Sequence, residues 1–236
     1  MVASDVTQKD IIYPDSDGQP MADNTKQFEL IVLIKKNLDL LFANDANVFV
    51  AGDLLWYPTE GNNKLRVAPD VMVAFGRPKG DRGSYQQWKE DNIAPQVVFE
   101  ILSPGNTTKE MTNKYRFYQS YGVEEYYLYD PDSNKLLVWL RSGDELEAIE
   151  QVAGWMSPRL GIRFELPEDE LKIYRPDGQL FLSYLEVEQQ RQQAEERAEQ
   201  AQKRITQAEE RAEQAESQLQ ALRALLQERG IDPENL

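Results

Sequence analysis

The sequence predicts a mixed α/β domain with one central sheet, followed by a long coiled-coil helix. Helical and strand-like segments follow one another as helix, strands, helix, strands over the first three quarters of the chain, which is typical of a sheet flanked by helices. Short apolar runs around Asp70 and Glu100 indicate buried strands. From Leu185 onward the composition changes to Ala, Glu, Gln and Arg with a heptad repeat.

The first helix and the strands after it follow from apolar spacing and turn residues. The helix begins after Asp23 or Asn24, either of which suits the N-cap. A strand starts at Val48 and extends toward Tyr57, and the Asp70 strand follows it. Residues 76–95 are rich in Gly, Pro and charge, so they are predicted to form a long flexible loop.

A second helix is predicted over about residues 107–121. Thr107 and Glu110 have the spacing of a capping box, and Gly122 suits the C-terminal end of the helix. Two strand-like runs within residues 126–140 flank a polar turn and therefore indicate a β-hairpin.

Four parts are predicted along the chain. They are a mobile N-terminal lead at 1–22, the α/β domain at 23–184, the coiled-coil helix at 185–229 and a tail at 230–236.

The coiled-coil seam is made of apolar residues at alternating steps of four and three. They are Ala194, Ala198, Ala201, Ile205, Ala208, Ala212, Ala215, Leu219, Leu222 and Leu226. We expect a homodimer through residues 194–226, with weak association at the Ala-rich part because Ala buries little area. A solitary helix held by Glu–Lys and Glu–Arg pairs is the alternative.

Composition excludes several kinds of chemistry. The chain has no His and no Cys, which excludes Ser-His-Asp and Cys-His catalysis, ordinary zinc sites and disulfides. An enzyme with this composition would use carboxylates, Lys, Tyr, Ser and a hard metal ion.

Charge and hydropathy narrow the expected surroundings of the protein. The formal net charge of −15 argues against nonspecific affinity for DNA or anionic membranes, although a local basic site stays open. Neither a signal-peptide pattern nor a membrane-length apolar run occurs in the sequence. We therefore expect a cytoplasmic protein.

Asp70 and Glu100 are the first candidate site residues, because each carboxylate interrupts an apolar strand. Such an acid is costly to bury unless a cation or hydrogen bonds satisfy it. Two strands of this kind could direct two carboxylates at one Mg²⁺. A turn at the strand end is the alternative for Asp70, and a buried ion pair is the alternative for Glu100.

Lys114 is the third candidate. At about 100° per residue, it falls in the apolar stripe of the second helix, whereas Lys109 and Arg116 point the opposite way. A carboxylate partner would explain an inward Lys. Snorkelling of the side chain past the helix edge is the alternative.

Several short motifs occur in order along residues 25–180. They are Pro69-Asp70, Val98-Phe99-Glu100-Ile101-Leu102-Ser103-Pro104, Lys114 followed by Tyr118, Gly122-Val123-Glu124-Glu125-Tyr126-Tyr127, and Asp130-Pro131. This combination resembles the Uma-two putative restriction endonuclease family, part of the PD-(D/E)XK nuclease superfamily. The resemblance implies a restriction-endonuclease-like fold, in which helices flank a mixed central sheet.

The resemblance also implies roles for individual residues. Asp70, Glu100 and the Ile101 carbonyl would hold Mg²⁺, with Mn²⁺ as an alternative ion. The superfamily's usual Lys would stand at Leu102, and Lys114 matches its displaced position on the following helix. Three weaker candidates are Glu29, Asp53 and Ser103.

The implied activity is metal-dependent hydrolysis of phosphodiester bonds, with DNA as the expected substrate. The ion would lower the pKa of a bound water, and Lys114 would orient that water and offset negative charge. Basic residues of the 76–95 loop, namely Arg77, Lys79 and Arg82, could contact phosphates, and Tyr85 and Trp88 could stack on bases. An ordinary solvated loop whose aromatic residues pack on the domain is the alternative.

Two other functions fit the same residues. The first is a catalytically silent interaction module that oligomerises through its coiled coil. The second is a phosphate-ester hydrolase that acts on small nucleotides.

Overall fold

The computed structural model describes residues 11–229, so residues 1–10 of the predicted lead and the whole predicted tail, 230–236, lie outside the described residues. The chain divides into two units between Phe181 and Leu182, and each is described by itself. The elements in chain order are α1 Thr25–Leu41, β1 Val48–Gly52, β2 Trp56–Tyr57, β3 Val71–Phe75, β4 Tyr85–Gln86, a 3-10 turn Gln87–Lys89, β5 Val97–Ile101, α2 Thr108–Ser120, β6 Glu125–Asp130, β7 Lys135–Ser142, β8 Glu145–Ala148, β9 Arg163–Glu165, β10 Lys172–Tyr174 and α3 Tyr184–Glu228.

The first unit is built on a six-stranded sheet with the strand order β1-β3-β5-β6-β7-β8. Strands β5 and β6 are parallel, and every other neighbouring pair in this sheet is antiparallel. Two small two-stranded sheets, β9–β10 and β2–β4, accompany it. The predicted mixed α/β class with one central sheet is confirmed.

Alternation along the strands separates two cores on opposite faces of the sheet. Val97, Phe99 and Ile101 of β5 pack in the core that contains residues of α1. Val98 belongs to the opposite core, which α2 covers with Tyr118. Glu100 alternates with Phe99 and Ile101, so it lies on the α2 face.

Helix α2 connects the parallel strands β5 and β6, a pairing that requires a crossover connection. The Thr107 side chain caps its first turn by accepting from the Glu110 N–H at 3.2 Å. Gly122 follows the helix with φ +89°, a left-handed conformation that glycine adopts without steric cost. The Thr107 cap and the glycine after the helix are therefore present, whereas the Glu110 carboxylate of the predicted capping box accepts from Asn106 Nδ2 at 3.2 Å.

Helix α1 packs on the other face and begins at one of its two predicted caps. The Asn24 side chain accepts from the Gln27 N–H at 2.9 Å. The buried residues Ile31, Ile34 and Leu38 attach the helix to the sheet.

The strand predicted to run from Val48 toward Tyr57 is divided at Asp53. Asp53 has φ +48°, and its N–H donates to the carbonyls of Pro69 and Asp70, both at 3.2 Å. The backbone therefore leaves β1 after Gly52 and turns toward the start of β3.

The described part of the predicted mobile lead makes specific contacts with the first unit. The Pro14 carbonyl accepts from the Tyr57 hydroxyl at 2.7 Å, and the Tyr13 hydroxyl accepts from the Gly61 N–H at 2.6 Å. The Tyr13 ring also packs against Tyr57 and Trp88. These contacts anchor the chain before it enters α1.

The second unit contains α3, a helix of 45 residues. Most of its described side chains are exposed, including Ile205, Leu219 and Leu222. Within residues 11–229, no helix is both long and apolar enough to cross a bilayer.

Candidate active site

Strands β3 and β5 bring Asp70 and Glu100 side by side. In their antiparallel register Val71 faces Phe99 and Met72 faces Val98, and continuing it by one residue places Asp70 opposite Glu100. Because side chains alternate along a strand, both carboxylates lie on the α2 face of the sheet. Asp70 is 8% exposed and Glu100 is 2% exposed.

The Asp70 carboxylate is held by the end of the neighbouring strand. Its Oδ2 accepts from the Ile101 N–H at 2.6 Å. Burial and the nearby Glu100 carboxylate raise the pKa of Asp70 well above its ordinary value, against the opposing effects of Lys114 and the Ile101 hydrogen bond. A cation beside Asp70 would favour its ionised form.

Both oxygens of Glu100 accept hydrogen bonds from α2. Lys114 Nζ donates to Oε2 at 2.8 Å, and the Tyr118 hydroxyl donates to Oε1. Lys114 and Tyr118 are four residues apart, so they lie one helical turn apart on one face. The inward orientation predicted for Lys114 is therefore present, and its side chain is 18% exposed.

Electrostatics keep the Lys114 ammonium charged. Burial alone would lower the pKa of Lys114, but the Glu100 and Asp70 carboxylates outweigh it and raise the pKa above its ordinary value. Burial and the Glu100 carboxylate also raise the pKa of Tyr118 well above its ordinary value. At neutral pH both groups can therefore donate hydrogen bonds, and neither is suited to act as a base.

Tyr118 is one site residue whose role the sequence did not reveal. Its aromatic ring fits an apolar helix stripe, and the hydroxyl contact depends on how α2 lies over β5. The four-residue spacing from Lys114 was the available signal.

The candidate site lies in a cleft with a volume of about 560 Å³. Asp70, Glu100 and Lys114 line it together with residues of the segment that precedes α1, among them Asp17, Met21 and Asp23. The acidic segment that precedes α1 therefore forms one side of the cleft.

Asp53 is a further acid in this cleft. It directly follows β1 and is partly exposed. Burial and the Asp17 carboxylate raise the pKa of Asp53, while Lys114 opposes them. The site therefore carries more acidic than basic groups.

Helix α1 contributes Gln27 instead of Glu29. Glu29 is exposed and does not line the cleft, whereas the Gln27 side chain is buried and its Nε2 donates to the Ile101 carbonyl at 2.8 Å. Gln27 lies on the same helix face as Ile31 and Ile34, about one turn before Ile31 and two turns before Ile34. A polar residue in an apolar stripe was the available signal.

Ser103 lies at the rim of the site. Its hydroxyl donates to Asp23, and its N–H donates to Asn106 Oδ1 at 2.9 Å. A Cβ at Gly105 would stand 2.7 Å from Asp23 Oδ2, so a larger residue in this turn would have to displace the Asp23 carboxylate. Ser103 therefore connects the turn after β5 to the segment before α1.

A family model described as Uma2, putative restriction endonuclease, matches residues 17–167. The match covers more than half of the chain and includes Asp70, Glu100 and Lys114. The chain belongs to the Uma2 family. The resemblance drawn from the motifs is thereby confirmed, and membership supports a nuclease.

A structural comparison finds a similar solved structure, described as a putative nuclease belonging to DUF820 from Anabaena variabilis. It has 19% sequence identity and a TM-score of 0.44, and the match covers 59% of this chain and 74% of that chain. No curated protein sequence matches this chain.

The Uma2 region differs from the superfamily pattern in the way the sequence indicated. Leu102, at the position of the usual Lys, donates its N–H to the Tyr129 carbonyl at 2.8 Å and continues the β5–β6 pairing. The ammonium group reaches Glu100 from α2 instead.

Three basic residues of the 76–95 loop form ion pairs or hydrogen bonds with other residues of the Uma2 region. Arg77 and Arg82 pair with Glu90, and each side chain is 12% exposed. Lys79 donates to backbone carbonyls after α1. The segment also contains β4 and the 3-10 turn, so it has more structure than the flexible loop predicted.

Of the two aromatic residues expected to stack on bases, one is not accessible. Tyr85 is fully buried, and its hydroxyl donates to the Ile93 carbonyl at 2.7 Å. Base stacking by Tyr85 is therefore wrong, and the alternative of packing on the domain holds for this residue, because its side chain is part of the core.

The oxygen atoms of this site suit a hard cation that takes only a few of its ligands from the protein. Within residues 11–229, no cluster of three or more acidic side chains has metal-binding geometry. Mg²⁺, however, is commonly held by one or two carboxylates together with water and substrate phosphates. Asp70 and Glu100 supply two carboxylates, and the Ile101 carbonyl has a lone pair beyond the one that accepts from Gln27.

Proposed function

We propose that this protein is a Mg²⁺-dependent endonuclease that hydrolyses phosphodiester bonds of DNA. The observation that carries the proposal is the buried pairing of Asp70 with Glu100, with Lys114 Nζ 2.8 Å from Glu100. These groups open into a cleft of about 560 Å³, within the region that matches the nuclease family.

In this proposal Asp70, Glu100 and the Ile101 carbonyl hold Mg²⁺, and Mn²⁺ can replace it. The ion, when bound, lowers the pKa of water and offsets negative charge on the phosphate. The raised pKa of Asp70 fits this role, since Lys114 offsets only one of the two buried carboxylate charges.

Side chains of the site then orient the reacting groups and stabilise the negative charge that develops. The Lys114 ammonium, charged at neutral pH, donates toward the attacking water or the phosphate oxygens and stabilises developing negative charge. Tyr118 is a positioning residue, because its hydroxyl fixes the Glu100 oxygen that Lys114 does not contact. Gln27 positions the Ile101 carbonyl from the opposite side.

DNA would enter along the open cleft. Arg77, Lys79 and Arg82 were the predicted phosphate contacts, and they would have to exchange their internal partners to serve. Arg66 also donates to an internal partner, the Asn63 carbonyl, at 2.8 Å, but it is better placed because it lines the cleft itself. We therefore assign Arg66 the main phosphate contact and the loop a secondary one.

The proposal includes a homodimer formed through residues 194–226 of α3. The apolar seam side chains Ile205, Leu219 and Leu222 are exposed in the single chain. Their burial against a second copy would remove apolar surface from water.

The test uses the purified full-length chain with supercoiled plasmid and Mg²⁺. Asp70→Asn and Glu100→Gln should each reduce cleavage at least about 100-fold. Glu29→Gln, which removes one exposed negative charge elsewhere on the domain, should cleave like the wild type. Cleavage that survives both site substitutions contradicts the proposal.

Metal binding gives a second readout that does not depend on turnover. Mg²⁺ or Mn²⁺ should raise the melting temperature of the wild type and of Glu29→Gln, and much less that of Asp70→Asn. Metal-induced stabilisation without cleavage of any polymer would favour the catalytically silent interaction module. The long exposed helix α3 is the feature that supports this alternative. Hydrolysis of nucleotides without polymers would select the small-substrate hydrolase.

A further inference from the structure

The heptad repeat of α3 assigns each residue of the seam to position a or d. Ala198, Ile205, Ala212, Leu219 and Leu226 stand at a, and the other seam residues stand at d. Ile205, Leu219 and Leu222 are each about half exposed, at 51%, 49% and 55%. One helix alone therefore leaves this apolar stripe uncovered.

The residues that flank the seam have a regular charge pattern. Position g, just before each a, is occupied by Arg197, Arg204 and Arg211 in three successive heptads. Position e, just after each d, carries only acids and one Gln over the same heptads. These residues are Glu195, Gln202, Glu209 and Glu216.

This pattern distinguishes the two possible orientations of a helix pair. In a parallel, in-register dimer each g residue faces the e residue five positions later on the other helix. Arg204 then faces Glu209, and Arg211 faces Glu216, twice each by symmetry. In an antiparallel dimer g faces g and e faces e, so Arg faces Arg and Glu faces Glu.

Arg191 interrupts the apolar stripe before Ala194. Arg191 stands at position a, where an apolar residue would continue the stripe. Its guanidinium instead pairs with Glu188 at 2.6 Å and Glu195 at 2.5 Å on its own helix. The same frame places Tyr184 at a and Val187 at d before this break, so the continuous seam covers residues 194–226, and its apolar layers are largest at the Leu-rich end.

We propose that α3 joins two copies of this chain as a parallel, in-register coiled coil. The inference rests on the homodimer proposed above, and is independent of the hydrolytic activity. It adds orientation and register, which the apolar spacing alone does not specify. Ile205 and Leu219 would each meet their own counterpart across the seam, and the two N-terminal domains would both precede the same end of the coiled coil.

Disulfide trapping tests the orientation directly, because the native chain has no Cys. Ala201→Cys places one thiol at a d position near the start of the seam. In a parallel dimer the two thiols meet, so mild oxidation should crosslink most of the full-length protein. In an antiparallel pair aligned over residues 194–226 they would stand roughly 27 Å apart. Ser217→Cys, at the outward f position, is the control and should stay uncrosslinked.

Charge reversal tests the register. Glu209→Arg with Glu216→Arg replaces attraction by repulsion at every g–e pair described above, and should raise the dimer Kd roughly ten- to hundred-fold at low salt. Glu196→Arg with Glu210→Arg makes the same charge change at f positions and should leave Kd within about twofold. Adding Arg204→Glu and Arg211→Glu to the first variant should restore dimerisation.

Each outcome has a defined meaning. A monomeric wild type by light scattering overturns the dimer and with it this inference, without touching the nuclease proposal. A dimeric wild type in which Ala201→Cys crosslinks no better than Ser217→Cys overturns the parallel orientation. Equal Kd values for the e-position and f-position variants overturn the assigned register.

Discussion

Lys114 Nζ lies 2.8 Å from Glu100 Oε2, although 14 positions separate the two residues in the chain. The Lys is on α2 and the Glu is on β5, so the contact spans the packing between a helix and the sheet. The same contact gives the helix a role in both stability and proposed chemistry.

Replacing Lys114 should separate these two roles. Lys114→Met keeps the apolar stem but leaves Glu100 without its cation, which should cost about 3 kcal/mol of unfolding free energy and abolish cleavage. Lys109→Met, on the exposed face of the same helix, should change neither by much. Urea unfolding and plasmid cleavage measure the two effects, and an unchanged cleavage rate in Lys114→Met would remove Lys114 from the proposed site.

Tyr118→Phe should reveal a positioning role. Loss of the hydroxyl donor to Glu100 should cost about 2 kcal/mol and weaken metal-induced stabilisation. Tyr115→Phe removes a hydroxyl from the same helix that donates to the Leu146 carbonyl, away from the carboxylates. Both variants should lose stability, but only Tyr118→Phe should change the Mn²⁺ concentration needed for half-maximal stabilisation. Equal Mn²⁺ responses would make Tyr118 purely structural.

Glu90 should make stability depend on pH. Burial alone would raise the pKa of Glu90, but hydrogen bonds from Arg82 and Arg77 outweigh it and hold the pKa below its ordinary value of 4.5. The unfolded chain therefore binds a proton at higher pH than the folded one, and the stabilisation is present above about 4.5 and lost as the pH falls through the folded pKa.

The corresponding measurement compares Glu90→Gln with Glu60→Gln, whose side chain is exposed. Glu90→Gln should cost about 1–2 kcal/mol near neutral pH, and the difference from wild type should vanish in acid. Unfolding curves collected from pH 3 to pH 8 would show it. A destabilisation that persists unchanged at pH 3 would mean that packing, and not charge, is responsible.

Arg66→Gln should weaken DNA binding through one lost phosphate contact. The slope of log affinity against log salt should fall in magnitude by about one. Arg116→Gln has the same charge change on the exposed face of α2 and should leave the slope unchanged. Fluorescence anisotropy with Ca²⁺ in place of Mg²⁺ measures both, and identical slopes would exclude Arg66 from the interface.

Local periodicity was sufficient to predict the features carried by one element. The inward side of α2, including Lys114, follows from helical rotation, and the Thr107 cap follows from its spacing to Glu110. The hairpin of β6 and β7 follows from two apolar runs around a polar turn. Each of these depends on residues that are close in sequence.

Features that join distant segments were less accessible. The sequence does not state that β3 and β5 are neighbours, so the alignment of Asp70 with Glu100 required the register. Gln27 and Tyr118 reach the site across packed elements. The ion pairs of Arg77 and Arg82 with Glu90 depend on the path of the loop in space. Composition does not encode that path.

The crossover helix α2 supplies both groups that hold the Glu100 carboxylate. A lysine on a strand of the sheet would keep its position for as long as the strands stay paired. Here a fluctuation that lifts one helix would dismantle the ammonium and hydroxyl contacts while leaving the strand pairing intact. The fraction of molecules with α2 seated would then set the upper limit on turnover, and amide exchange in that helix would track catalytic competence.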